Sequence, residues 1–218
     1  MNWMVDILMV IGAYLLGSIP SAVWIGKTFY GVDVREHGSK NAGSTNTIRV
    51  LGLKPGLVVF VMDMIKGFLA VNLVHLSYFL VPRTVDFVNL QLVLGISAVL
   101  GHIFPVFAQF RGGKGVATLF GLVMAIHPYP TLICFGVFLL TLTITKYVSL
   151  SSMVAGFLFP ILVMFVFKTS IPSLVIFSMT VSILLLFTHQ KNIERLLRRQ
   201  ENKATFLKRR RRRMIDQE

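Results

Sequence analysis

Long apolar runs recur from end to end of this chain, separated by short polar breaks. They fall near residues 4–26, 56–80, 91–108, 116–127, 131–145, 153–167 and 172–188. A soluble protein of this size could bury one or two wholly apolar helices; seven such runs call for a membrane as their solvent. Crossing a hydrocarbon core takes about 20 helical residues, so the fourth, fifth and sixth runs are short and must borrow flanking residues, tilt, or be partly re-entrant. His127, Pro128, Tyr129 and Pro130 break the helix between the fourth and fifth runs, because proline lacks a backbone donor and restricts the residue before it. The expected fold is all-α: a polytopic bundle of about seven transmembrane spans over 1–188, then a basic tail over 189–218. No basic region precedes the first run and no small-residue cleavage pattern follows it, so it reads as a retained span.

Composition agrees with this pattern and adds an orientation. The chain is 55% hydrophobic, with a mean hydropathy of +0.73, yet its net charge is +13. Of the 22 Lys and Arg residues, 11 lie after residue 188, and the run Lys208 to Arg213 reads as a solvated arm or one drawn to anionic headgroups. With that tail inside, the inner loops 27–55, 109–115 and 146–152 carry Lys27, Arg35, Lys40, Arg49, Lys54, Arg111, Lys114 and Lys146, against Arg83 and Lys168 outside. One span more or fewer would scatter these charges over both sides, so the amino end is expected outside and the carboxyl end in the cytoplasm. So apolar a chain is no nucleic-acid binder. Cys134 is the single cysteine and reads as a small core residue, giving no intrachain disulfide and no metal cluster.

The inner loops hold more Gly, Ser, Thr and Asn than a connection requires. Residues Gly38 to Arg49 offer hydroxyls, amides, flexible backbone and a fixed cation, which suit a phosphoryl group or a developing oxyanion. A solvated, turn-rich loop would look the same. Gly112, Gly113 and Gly115 surround Lys114 just before a helix, as an anion nest would, although the Walker pattern is not met. The bland reading there is a glycine-rich connection with one positive-inside lysine. After the last span, His189 and Asn192 share a helix face with Arg195 and Arg199 beyond them; a histidine at this level is also a common capping residue. Asp63 and Lys66, three apart within the second run, are expected to pair with each other, while His75 shows no such company and Trp3, Tyr78 and Tyr129 fit an outer aromatic belt.

Taken together the motifs resemble the bacterial acyl-phosphate:glycerol-3-phosphate acyltransferase family. The resemblance is carried by Gly38-Ser39-x-Asn41-x-Gly43-x-Thr45-Asn46-x-x-Arg49, by Gly101-His102-x-Phe104-Pro105 with Gly112-Gly113-Lys114-Gly115, and by His189-x-x-Asn192-Ile193-x-Arg195-Leu196 with Glu201 and Lys203. Gly17 to Ser21, Asp63-x-x-Lys66-Gly67 and Tyr147 to Ser152 support it. Lys40 and Ser44 depart from the family's usual Gly and Ala, which bears only on local loop shape.

This resemblance implies acyl transfer from acyl phosphate to glycerol 3-phosphate at the inner membrane surface, with membrane lipid as the medium and no metal or other cofactor. It implies that Ser39 and Arg49 are essential, that Gly112, Gly113, Lys114 and Gly115 bind glycerol phosphate, that His189 and Asn192 serve activity and that Glu201 serves integrity. Asn41, Thr45, Asn46, Ser149 and Ser152 join the expected substrate-binding set, with Asp63, Lys66 and His102 in support. Acyl phosphate is already activated, so positioning and charge stabilisation suffice without a covalent nucleophile. The proton acceptor is His189 or the substrate's own phosphate; no carboxylate orients His189 in sequence, which favours the phosphate. A transporter of small organic phosphates is the rival from another class, although no internal repeat is visible and the polar motifs gather at one face. A lipid-binding scaffold would leave the three loops unexplained.

Overall fold

The computed structural model describes residues 3–77 and 80–204, so Tyr78 and the run Lys208 to Arg213 lie outside the described residues. Among these, every regular element is helical: α1 (Trp3–Gly17), α2 (Ser21–Tyr30), α3 (Ser44–Leu51), α4 (Leu53–Asn72), α5 (Val85–Ile103), α6 (Val116–Ile126), α7 (Pro128–Thr145), α8 (Val148–Ile161), α9 (Pro172–Thr188) and α10 (Gln190–Leu197), with short 3₁₀ and π turns between. Four helical stretches are long and apolar enough to cross a membrane, and up to six if α1 with α2 and α9 with α10 each count as one bent span. The surface is apolar over Leu8, Leu140, Ile144, Ile176 and Phe187, as a lipid solvent requires.

Several expected boundaries shift, each for a local reason. The first run is not one straight span. Pro20 cannot donate to the preceding turn, so the chain bends 41° between α1 and α2. At the bend the Ile19 carbonyl accepts from Lys66 Nζ at 2.9 Å as well as from the Ser21 amide at 3.0 Å, and Ser21 Oγ donates to Asp63 at 2.9 Å, so the buried Asp63–Lys66 pair of α4 anchors the bend. The fourth run, by contrast, lies where expected and is as short as expected: the 11 residues of α6 span about 16 Å, or roughly half a hydrocarbon core. Residues 27–55 are no simple loop, since they contain the end of α2, a 3₁₀ turn at Val34–Glu36 and all of α3. Likewise 146–152 is mostly the first turns of α8. The histidine-proline break and the last span fall where expected, with His127 ending α6, Pro128 opening α7, and α9 covering 172–188. The polar α10 then turns 61° away.

Helices without polar interfaces must associate by close backbone approach, and glycines supply it. In the α4–α6 crossing a Cβ at Gly67 would stand 2.1 Å from the Thr118 carbonyl oxygen, and one at Gly121 1.9 Å from that of Met64. The α1–α5 crossing repeats the device, with Gly17 against Ala98 and Gly101 against Tyr14. These two crossings set where α6 begins and where α5 ends, and both ends belong to the site below. Gly121→Ala should therefore force α4 and α6 apart, costing about 1–3 kcal/mol. A thermal-unfolding midpoint in detergent equal to that of the native chain would show that the crossing tolerates a methyl group.

Candidate active site

A single cavity of about 1000 Å³ collects residues from all three motif regions at one end of the bundle. Its mouth is lined by Ser39, Lys40, Asn41, Thr45, Asn46 and Arg49 from the first, Lys114 and Gly115 from the second, and His189, Asn192, Arg195 and Glu201 from the third; Ser149 and Ser152 of α8 join them. The first turns of α3, α6, α8 and α10 all border it, and none of these helices has a side-chain cap. Four sets of first-turn amides therefore bring partial positive charge to one space, with Lys40, Arg49, Lys114, Lys191, Arg195 and Lys203 around it. Such a mouth is made for anions. Among the described residues no three His, Cys, Asp or Glu side chains gather as metal ligands would.

Ser39 and Arg49, ten residues apart, meet because the chain folds back on Asn46. The Asn46 oxygen accepts from the Ser39 amide at 2.8 Å and from the Arg49 guanidinium at 3.4 Å, while its Nδ2 donates to the Val34 and His37 carbonyls at 2.7 and 3.1 Å. Asn46 is 1% exposed and fully engaged within the chain. It shapes the first motif rather than offering a free amide to a substrate. Gly38 fits only without a side chain, having φ +60° and standing against the Asn46 oxygen. Lys40 also adopts a left-handed φ of 58°, which explains why the glycine usual in the resembling family suits this place.

The glycine nest resolves into two different roles. The Gly112 and Gly113 amides donate to the carbonyls of Ile103 and His102, and a Cβ on either would collide with His102, so neither N–H is open to an anion. They dock the loop onto the end of α5, where His102 in turn lies 3.6 Å from Asp63. Gly115, at φ +77°, starts α6 and lines the cavity beside Lys114. Upstream, Arg35 steadies the same loop, donating to the Ala108 carbonyl at 2.8 Å while Asp33 grips its other nitrogens; the sequence reading used Arg35 only as an inner-loop charge and gave Asp33 no role. An arginine buried to 6% exposure must have partners, but which ones depends on the tertiary fold.

In the third motif Glu201 accepts from Ser149 at 2.8 Å, Asn192 at 2.7 Å and Arg195 at 2.7 Å, and the Asn192 oxygen meets the Lys114 ammonium. Burial alone would raise the Glu201 carboxyl, but these donors outweigh it and hold Glu201 below its ordinary value. Burial lowers Lys114 to about 8, against the pull of Glu201. Burial, with Lys114 nearby, likewise lowers His189 to about 4. Since a carbonyl can only accept, His189 Nδ1 carries the proton it gives to Leu185 at 2.9 Å, leaving Nε2 as the basic nitrogen. The Ser152 hydroxyl turns back to the Val148 carbonyl.

A family model for glycerol-3-phosphate acyltransferase matches residues 7–199. The chain belongs to this family. A glycerol-3-phosphate acyltransferase of Fusobacterium nucleatum is 47% identical over 160 residues, covering 72% of this chain and 77% of the relative; one of Listeria welshimeri is 51% identical over 150 residues, covering 69% and 73%. The crystal structure of PlsY (YgiH), an integral membrane glycerol 3-phosphate acyltransferase, in its glycerol 3-phosphate form, superposes with a TM-score of 0.79 at 36% identity, covering 91% of this chain and 94% of that one. Its lysophosphatidic acid form gives 0.76. Like that relative, this chain is an integral membrane protein.

The geometry separates a shaping residue from the groups it shapes. Asn46→Asp keeps size but puts an oxygen against the Val34 and His37 carbonyls, leaving the buried Val34 carbonyl without its donor at about 1–3 kcal/mol. The variant should melt earlier and lose at least roughly tenfold in kcat/KM. Unchanged melting and unchanged kinetics together would refute the shaping role.

Proposed function

We propose that this membrane protein transfers a fatty acyl group from acyl phosphate to glycerol 3-phosphate, releasing phosphate and 1-acylglycerol 3-phosphate, a precursor of phospholipids. The observation that carries the reading is the dual nature of the cavity. Its mouth offers cations and uncapped helix ends to two phosphate-bearing substrates, and beyond the mouth its lining turns apolar with Phe60, Phe120, Phe135, Phe138 and Phe159. An amphiphilic donor fits both halves at once. The apolar half would oppose passage of a free organic phosphate, so transport is the less supported reading.

In this reaction the glycerol hydroxyl attacks the acyl carbonyl, the carbon–oxygen bond to phosphate breaks, and phosphate leaves with its electron pair. Arg49 holds one phosphoryl group with two nitrogens; Ser39 stands beside it through Asn46. Lys114, Gly115 and the first turn of α6 receive the other, with Asn192 and His189 opposite. Holding both substrates against each other provides most of the acceleration, and the helix ends stabilise the developing oxyanion. At about 4, His189 is a weaker base than a phosphate monoester, whose second ionisation lies near pKa 6. Glycerol 3-phosphate therefore takes up its own hydroxyl proton, and His189 orients it.

We further propose that α6 is a seventh, short crossing, with the amino end outside and the active site facing the cytoplasm of a bacterial inner membrane. This is supported by the gathering of Lys40, Arg49, Lys114, Lys191, Arg195 and Lys203 around one mouth, to which the Ala204 amide is tied through the Lys146 carbonyl at 2.7 Å.

Purified protein given labelled glycerol 3-phosphate should form lysophosphatidate from acyl phosphate. Efficient use of acyl-CoA where acyl phosphate fails would overturn the donor assignment, and uptake into proteoliposomes without acyl transfer would favour transport. A pH series tests Lys114 separately. Its ammonium is charged below about 8 and lost above, so kcat/KM for glycerol 3-phosphate should fall by roughly tenfold per pH unit beyond that point. Unfolding cannot mimic this, because a lysine lowered from 10.5 in the folded state makes the protein more stable as pH rises between those values. A flat profile to pH 10 would remove Lys114 from phosphate binding.

A further inference from the structure

The apolar half of the cavity has a floor as well as walls. Its lining extends along α6 to Val123, along α8 to Phe159 and along α9 back to Val181, and on α7 it reaches Thr131 and Cys134, near the prolines that open that helix. Measured from Ser149 to Phe159 at 1.5 Å per residue, the arm is about 15 Å deep. Val123, Cys134 and Phe159 belong to one buried cluster with Leu162, Val163 and Phe177. The arm therefore ends in packed side chains rather than in lipid. The Thr131 hydroxyl is already used, donating to the His127 carbonyl at 2.8 Å, so the floor leaves no free hydroxyl to tolerate water.

We infer that this floor, formed by Val123, Thr131, Cys134 and Phe159, is a gauge that sets the acyl-chain length the protein accepts. The inference rests on the acyl-transfer reading above. Each methylene buried in the arm raises affinity roughly fourfold. Once the terminal methyl meets the floor, a further carbon must displace packed side chains, because interiors at crystal-like density resist insertion. Affinity should thus climb with chain length and then fall. An arm open to lipid would impose no such limit.

Cys134, the chain's one cysteine, gives a reading that needs no turnover. The full chain in lipid nanodiscs is treated with methyl methanethiosulfonate, a small uncharged thiol reagent, alone and with saturated acyl phosphonates of increasing length, which cannot transfer their chains. Short phosphonates should leave Cys134 reactive; protection should set in at one length and slow labelling at least tenfold. In transfer assays on mixed donors, Cys134→Leu and Cys134→Phe should move the preferred chain to shorter lengths, Phe further than Leu. Phe159→Leu, which deepens the arm, should move it to longer ones. Protection equal at every length, or an unchanged length profile in folded Cys134→Phe, would overturn the gauge. Loss of the acyltransferase reading looks different: the native chain would transfer no acyl group, whereas length-graded protection of Cys134 would still report a floor.

Discussion

The motif end of the bundle depends on the charge of Glu201. Its carboxylate joins α8 through Ser149 to α10 through Asn192 and Arg195, and Asn192 passes the link on to Lys114 at the start of α6. Without it, the Arg195 and Lys114 cations would be left near each other with no carboxylate between them, and the Asn192 amide would lose its acceptor. The position of Glu201 is itself fixed three residues later, where the Ala204 amide meets the Lys146 carbonyl between α7 and α8. The stretch after α10 is therefore a strap across the helix ends, and the cavity keeps its shape only while that strap stays docked.

Beneath the strap, rigidity comes from glycine. Helix dipoles bring anion-binding charge to the mouth only if helix starts converge, and convergence at backbone distance requires residues without side chains at the crossings. Gly67 and Gly121 set α6 against α4; Gly112 and Gly113 hold the approach to α6 against His102. His102 sits beside the Asp63–Lys66 pair, which in turn holds the bend at Pro20. A continuous chain of buried contacts thus runs from the first bent span to the amide end of α6, using charges that would be intolerable in hydrocarbon if they were not matched.

Much of this was legible in the residue pattern, and the failures have identifiable causes. Hydropathy located the apolar helices because each run reflects its solvent directly. It could not show that the first run bends, since that depends on which donors the carbonyls at the break find in the fold, whereas the short fourth run was legible, 116–127 against Val116–Ile126 of α6. Asp63 and Lys66 were readable as a pair because three residues on one helix bring them together whatever else the fold does. Asn46 was not readable as a shaping residue: its partners at Val34 and His37 lie in a turn with no periodic signature. Gly112 and Gly113 looked like anion ligands because a nest and a docking loop use the same residues; only the direction of their amides separates the two. Glu201 was expected to serve integrity from the resemblance alone; its three donors, on α8 and α10, lie too far apart in sequence for spacing to have revealed them.

The depressed basicities at the mouth follow from the same economy of space. Burial under the surrounding helix ends desolvates the bases of the mouth, which is why both Lys114 and His189 sit below their usual ranges. A histidine so weakened is neutral at physiological pH and does not add a further cation beside Lys114. The proton removed from a glycerol hydroxyl then goes most readily to a group that brings its own negative charge, and in the proposed reaction that group is the phosphate. In that proposed reaction the leaving group and the base both come from substrates, so the protein would need to contribute placement, and placement is what glycine crossings, uncapped helix ends and a strapped carboxylate provide.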